Sequence, residues 1–475
     1  MPGDGAAALD GGGDAARAAE PGFRTDLQAL RRLLLIAGTL LYLAYALITP
    51  PFQTTDEHQH LFRAWQLAHF QLHGARRGGE AGGLLPAGLP AAAAAELGSI
   101  APNAIRPVPK RPLAAAFARS TPVSDAQPRI FANFPGGILY SPAGYGPQIV
   151  AVRTGEALDL SVETIVRLGR LLNAALTLGL FLLALAILPV GRLFLLLVAL
   201  TPMTACAAAS LGQDGLIIGS SAMLIALGVR ARFEGRWTRR SLLLLALFAA
   251  VIGLSKIVYL PLVGLAWLPL PRSARPLLWL GWPVLVGIGG AALSALWLHS
   301  NAGIVVPPGP GLADPAAQLA FLAAHPLAFP ATLGNSIVHR SLPVFFSTFT
   351  FGWVTIGPVM SAAVLALAAF AFAFRHGEAA AARLTRGWRL WAASVWLIAV
   401  LGIAAALYLV STPLGAPVVE GLQGRYFLPL LPLFCLIFIR RRPAASGTPA
   451  RFAIVAMLAA NVAALAAIGT AFYSL

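Results

Sequence analysis

Eleven apolar stretches, joined for the most part by short arginine-bearing junctions, limit this chain to one kind of architecture. They fall near Leu33–Ile48, Leu168–Leu188, Leu193–Ser210, Leu216–Val229, Leu242–Leu254, Ile257–Leu270, Leu277–Leu298, Trp353–Phe374, Leu390–Val410, Tyr426–Ile439 and Phe452–Phe472. A helix that crosses a bilayer needs about 20 apolar residues, fewer where neighbours shield it. In hydrocarbon every backbone N–H and C=O must be satisfied internally, which leaves helices as the only spanning structure for runs of this kind. Of the 475 residues 58% are hydrophobic and 11% charged, against roughly 25% charged in soluble domains. The chain cannot cover its apolar surface with polar groups. The fold expected is an all-α polytopic membrane protein with about eleven transmembrane helices.

The net charge of +16 does not point to nucleic acid, because the arginines sit in small groups between apolar runs instead of on one face. With the N-terminus in the cytoplasm, alternate junctions carry Arg24, Arg31 and Arg32; Arg192; Arg230, Arg232, Arg236, Arg239 and Arg240; Arg272 and Arg275; Arg375, Arg383, Arg386 and Arg389; and Arg440, Arg441 and Arg442. The short junctions of opposite parity hold few basic residues, chiefly Lys256 and Arg425. The positive-inside rule favours this register, with a multi-pass membrane protein and a long extracytoplasmic first loop over residues 50–165. Residues 1–30 read as a disordered cytoplasmic tail and residues 31–475 as one membrane domain. The first apolar run leads into Pro50-Pro51 without a cleavage pattern and reads as a retained anchor. Residues 241–270 fit two short crossings, one tilted helix or a re-entrant hairpin, and charge parity favours two crossings. Cys206 and Cys435 lie inside apolar segments and read as small core residues.

Directly after the first run comes Asp56-Glu57-His58-Gln59-His60-Leu61-Phe62-Arg63. Acidic side chains are scarce beyond the N-terminal tail, so two adjacent carboxylates at a membrane mouth suggest proton transfer or metal binding. On a helix starting near Thr55, Asp56, His60 and Arg63 share a face, with Glu57 beside His60. The alternative is helix capping by Thr54 or Thr55, with the acids in a first turn that favours them. Further along the loop, Gly74–Pro112 shows no apolar period and reads as mobile, whereas Phe131–Pro135 and Tyr140–Pro147 interleave aromatics with Pro and Gly as a rigid interfacial cap. Asp214 with Gln213, Lys256 and Arg425 are lone ionisable groups at the same boundary. Their plainer readings are a capping acid, an interfacial lysine and pairing of Arg425 with Glu420. Arg340, with His339 and Asn335, marks a second, weaker candidate. Gly-x-Ser-x-Gly, His-Glu-x-x-His and Gly-x-x-x-x-Gly-Lys-Ser/Thr are all missing from the sequence, and with them the basis for serine hydrolase, zincin or nucleotide-hydrolase chemistry.

Pro50-Pro51-Phe52-Gln53 with Asp56-Glu57, His60 and Arg63, then Tyr140-Ser141-Pro142 with Tyr145 and Pro147-Gln148, Leu200-Thr201-Pro202-Met203 with Asp214, Lys256 with Tyr259, and Gly424-Arg425-Tyr426-Phe427-Leu428-Pro429 occur in that order. This ordered set resembles the bacterial membrane family known as domain of unknown function 2142, from about Leu33 to Phe472. His58 departs from the smaller residue usual there. That family is similar to the GT-C glycosyltransferases, multi-spanning enzymes that take a sugar from a polyprenyl-phosphate carrier outside the membrane. The resemblance implies a catalytic carboxylate in the first extracytoplasmic loop, matched here by Asp56. An inverting transfer then needs a base for the acceptor hydroxyl and cationic stabilisation of the departing phosphate. Asp56 is the expected base, Glu57 a second acid that binds a divalent cation or orients the acceptor, and His60 the partner of Asp56. Arg63, Lys256 and Arg425 are the expected phosphate ligands, with Asp214 and Tyr426 lining the same site. A cation such as Mg or Mn at Asp56 and Glu57 is left open. The partners implied are membrane lipids, the lipid-linked sugar donor and a glycan or lipid acceptor, and no nucleic acid. The rival readings are a transporter or flippase for a lipid-linked or anionic substrate, and a non-catalytic assembly subunit.

Overall fold

The computed structural model describes residues 20–97, 110–112, 123, 127–267, 276–304, 314–350, 360–441 and 447–474. Residues 1–19 of the tail, and the parts of the loop stretch at 98–109, lie outside the described residues. Helix α1 (Glu20–Ile48) already begins inside the region read as tail. Short helix α2 (Glu57–Ala68) follows. The first loop then holds strands β1 (Ala75–Arg77) and β2 (Glu80–Pro86), helix α3 (Gly88–Leu97), strand β3 (Arg129–Asn133) and helix α4 (Gly146–Ala157). The bundle continues with α5 (Val162–Ile187), α6 (Arg192–Ala199), α7 (Pro202–Ala208), α8 (Asp214–Glu234), α9 (Arg239–Ser255) and α10 (Pro276–Ser300). It closes with α11 (Pro315–Ala324), α12 (Ala328–Ser347), α13 (Met360–His376), α14 (Arg386–Val410), α15 (Leu431–Phe438) and α16 (Thr448–Phe472).

The protein is a mostly helical, multi-spanning membrane protein. Among the described residues six helices are long and apolar enough to cross a membrane, or seven if α11 and α12, bent by 107°, count as one span. The expected count of about eleven is not confirmed by long helices alone: the run expected at Trp353–Phe374 lies partly outside the described residues, and three others are shortened by the backbone. The apolar run at Leu193–Ser210 is broken into α6 and α7 at Thr201-Pro202, where Pro202 pushes Thr201 into an extended conformation (ψ 143°). Two other short runs are 3-10 helices over all or part of their length, Ile257–Trp267 with Pro261 and Gly424–Leu430 with Pro429. A 3-10 helix rises about 2.0 Å per residue, so eleven residues travel about 22 Å. From Lys256 the chain returns along the bundle, with Gly264 O accepting from Trp391 Nε1 near the start of α14.

Every residue from Val190 to Gln213 is buried, which places α6 and α7 in the centre of the bundle, as an all-round apolar helix requires. By contrast α1 is two-faced: Leu34, Tyr42 and Tyr45 are buried, while Ile36 and Leu40 stand exposed toward the lipid position. At one end of the bundle Glu378 accepts from Gly191 N, Arg383 donates to Phe233 O, and Arg389 donates to the carbonyls of Ile437 and Ile439. This end gathers the junctions rich in arginine. At the opposite end Tyr473 Oη donates to Ile48 O at the end of α1, and Trp297 Nε1 donates to Leu139 O, tying the bundle to the first loop.

The first loop is a folded cap with its own apolar core, including Phe52, Phe62, Trp65, Leu85, Phe134 and Tyr145. It contains a small antiparallel sheet in the order β1-β2-β3, set in a fold that is otherwise helical as expected. The start of the stretch read as mobile is ordered here because glycine permits close strand pairing. A Cβ on Gly82 would lie 1.8 Å from Ala132 O. Glycine also erases the alternating apolar pattern that announces a strand.

Candidate functional site

The site is built at the exit of α1. Phe52 and Asp56 both adopt left-handed backbone conformations, with φ of 62° and 55°, a region costly for residues other than glycine and less so for Asp or Asn. What holds this turn is a buried ion pair. Glu57 accepts from Arg170 Nε at 2.8 Å and from its terminal nitrogen at 2.6 Å, and also from Phe52 N and Leu211 N. Arg170 gives its remaining hydrogens to the carbonyls of Ala46, Thr49 and Pro50, at the end of α1. Both side chains are fully buried. Glu57, expected as a cation ligand or acceptor-orienting acid, therefore has both oxygens committed to the scaffold.

Asp56 points the other way. It stands at the N-cap position of α2 but makes no capping hydrogen bond, so capping does not account for it. Its carboxylate is 39% exposed and lies 3.9 Å from Arg425. Arg425 also approaches Asp214 at 3.3 Å, and Asp214 accepts from Lys256 Nζ at 2.5 Å. Tyr426 presents its ring to both cations, 5.1 Å from Lys256 and 5.3 Å from Arg425, and its carbonyl accepts from Tyr259 Oη. Asp56, Asp214 and Lys256 come from separate elements and, with Arg425 and Tyr426 of the 3-10 helix Gly424–Leu430, meet at the loop end of the bundle. Asp56, Asp214 and Arg425 line a small cleft together with Thr54, Thr55, Ser210 and Gly212. The buried Thr54 Oγ1 and Arg425 Nε have no hydrogen-bond partner. Two cations against one bridging carboxylate, beside a second carboxylate open to solvent, suit an anionic ligand with a proton acceptor next to it.

The structure separates His60 from Asp56. Because the left-handed turn interrupts the helix at Asp56, the shared face expected for Asp56, His60 and Arg63 does not form. The His60 Nδ1 is 2.7 Å from Tyr145 Oη, and its ring stacks on Tyr140. Arg63 is fully buried and donates to the carbonyls of Tyr140 and Leu72 and to Gln66 Oε1; it braces the cap and does not face the cleft. Arg340 pairs with Glu420 at 2.8 Å on the surface, which leaves Arg425 to the cluster. Among the described residues no group of three or more His, Cys, Asp or Glu is placed to hold a metal ion. Asp56 is parted from Glu57 by opposite orientations, and Asp56 and Asp214 are the carboxylates that share the cleft.

Burial lowers the His60 imidazole to about 3 from its ordinary 6.5. Between those values the unfolded chain binds a proton that the folded ring refuses, so stability falls as pH drops through 6.5 and the loss continues to about 3. At about pH 5 the loss reaches about 2 kcal/mol. Thermal melts in detergent at about pH 7.5 and about pH 5 should show this fall, and His60→Gln should remove much of it. An unchanged pH dependence in that variant overturns the assignment.

Sequence reading missed Arg170, Tyr140 as a stacking partner and Tyr145 as the partner of His60. Arg170 carried a usable signal: Arg167 and Arg170 lie at the loop end of a span, where the positive-inside rule disfavours them. The same reasoning had singled out Arg425.

Neither the curated proteins nor the solved structures hold a match to this chain. A family model described as "Predicted membrane protein (DUF2142)" matches residues 39–434, a segment that contains Asp56, Arg170, Asp214, Lys256, Arg425 and Tyr426. With more than half of its length covered by that model, the chain belongs to the DUF2142 family of membrane proteins.

Proposed function

We propose that this protein is a glycosyltransferase of a bacterial inner membrane, moving a sugar from a polyprenyl-phosphate carrier to a glycan or lipid acceptor on the extracytoplasmic side. The observation that carries the reading is the convergence of a strained, solvent-open Asp56 with Arg425, Lys256 and Asp214 at one rim. Non-glycine residues held at positive φ cost of order 1–3 kcal/mol and cluster where function requires them. The arginine-rich end faces the cytoplasm by the positive-inside rule, which turns the cleft outward.

In this reaction the acceptor hydroxyl oxygen bonds to the anomeric carbon as the bond from that carbon to the phosphate oxygen breaks. Asp56 takes the hydroxyl proton, and the polyprenyl phosphate departs with the electron pair of the broken bond. Arg425 grips its oxygens as a fork and Lys256 acts as a point charge. Asp214 holds the two cations side by side before the donor arrives and keeps them from being an uncompensated pair at the membrane edge. His60, bonded to buried Tyr145 and stacked on Tyr140, is kept neutral by its own burial beneath this site. A transport path would need ionisable groups near the bilayer midplane. Among the described residues the spans α8, α14 and α16 carry no Asp, Glu, Lys, Arg or His between Asp214 and Arg230, between Arg389 and Val410, or between Arg451 and Phe472, which favours transfer.

The test is an assay of membranes carrying the protein, with a polyprenyl-phosphate sugar as donor and with glycosylated acceptor and released polyprenyl phosphate as readouts. Arg425→Gln should slow transfer by about 100-fold, the scale for loss of one donor that stabilises developing charge, and Arg425→Lys should recover part of that. The reading fails if the parent protein transfers from no polyprenyl-phosphate donor, or if Arg425→Gln transfers at the parent rate.

A further inference from the structure

One cavity that the site does not use is a groove of about 420 Å³ between α9 and α10. Apart from the indole of Trp282 its lining is aliphatic. Its floor is Ala246 and Ala250 from α9 with Gly289 and Gly290 from α10, and Leu285 and Leu296, 62% and 66% exposed, form part of its walls. The groove lies within membrane-spanning helices and is open on the side where lipid would be, so its occupant is hydrocarbon.

Where the groove leads follows from the crossing of its two helices. Gly253 of α9 and Gly290 of α10 touch so closely that a Cβ on Gly253 would lie 2.4 Å from Gly290 O. Both helices run toward the cap: α9 ends at Lys256, and α10 reaches Trp297, which donates to Leu139 O. They are therefore parallel. From the crossing, Lys256 lies three residues on, about 4.5 Å, and Leu296 six residues on, about 9 Å, at 1.5 Å per residue. The upper wall of the groove thus extends past the level of the ammonium group. A chain lying in the groove and leaving at its upper end brings its headgroup to the height of Lys256 and Arg425, which suits a phosphate.

We propose that this groove seats the isoprenoid chain of a polyprenyl phosphate, with the phosphate delivered to Lys256 and Arg425. The inference rests on the donor class given above and adds where its lipid part binds. The shape favours a methyl-branched chain over a straight one. Ala246 and Ala250 are one turn apart on α9, and Gly289 and Ala292 are nearly so on α10. At 1.5 Å per residue these small residues are spaced about 4.5–6 Å apart, which leaves room for methyl branches along the groove.

Gly289 gives a clean test, because a Cβ there meets nothing within 4 Å and a larger side chain fills the groove without displacing the fold. Gly287, on the same helix with equally open space, does not line the groove and is the control. Binding of a sugar-free polyprenyl phosphate to the full-length purified protein is measured in the presence of a straight-chain phosphatidic acid as competitor. Gly289→Leu should weaken binding tenfold or more, Gly287→Leu should leave it unchanged, and the phosphatidic acid should compete poorly. Equal binding by Gly289→Leu and the parent overturns the groove, as does full competition by the straight-chain lipid. Groove-dependent binding by a protein that transfers no sugar would instead sink the transferase reading and leave the groove standing.

Discussion

Asp56→Asn is expected to remove nearly all sugar transfer, lowering the rate by about 10²–10⁴-fold, the usual range for loss of a positioned general base. Donor binding should change little, because Arg425 and Lys256 remain and the amide is the same size as the carboxylate. The substitution is informative for a further reason. Position 56 has φ 55°, and Asn is among the few residues other than glycine that accept this region readily, so the turn and the helix that follows it are preserved. Asp56→Ala would mix the loss of the carboxylate with added strain at positive φ. Transfer by the Asn variant at the parent rate would show that the acceptor proton goes elsewhere, and Asp214 would be the next carboxylate to test.

The parts of this protein that were legible in its sequence are those where physics makes a residue conspicuous. A charge in an apolar chain is costly, so Asp214, Lys256 and Arg425 stood out, and the structure joins them although 42 residues separate the first two and 169 the last two. Several of the arginine junctions, those at Arg192, Arg383, Arg389 and Arg440, share one end of the bundle. What the sequence could not express was orientation. Asp56 and Glu57 are neighbours of the same chemistry, but one left-handed residue sends the first to the cleft and the second into the interior. Arg63 has the charge of a phosphate ligand and spends it on carbonyls of the cap. Three of the expected spans are not long regular helices, because proline at 202, 261 and 429 shortens or tightens them, a change in rise per residue that hydropathy alone does not register.

Arg170→Met is expected to be the most destabilising single change at this end of the molecule, by about 3–5 kcal/mol, because it strands a fully buried Glu57 carboxylate without its cation. Phe52 N and Leu211 N still donate to that carboxylate, but two amides do not neutralise it. The loss also frees the carbonyls of Ala46, Thr49 and Pro50, so the end of α1 is no longer tied to the start of α2. The double variant Arg170→Met with Glu57→Leu separates the two effects. Replacing both members of a buried pair by apolar groups is often neutral or favourable, and its melting midpoint in detergent should recover a large part of the loss. Transfer should not recover with it, since the tie that positions Asp56 opposite Arg425 is still missing. A single variant that melts with the parent would show that the pair does not hold the turn. A double variant that regains both stability and transfer would show that the turn, once folded, places Asp56 without it.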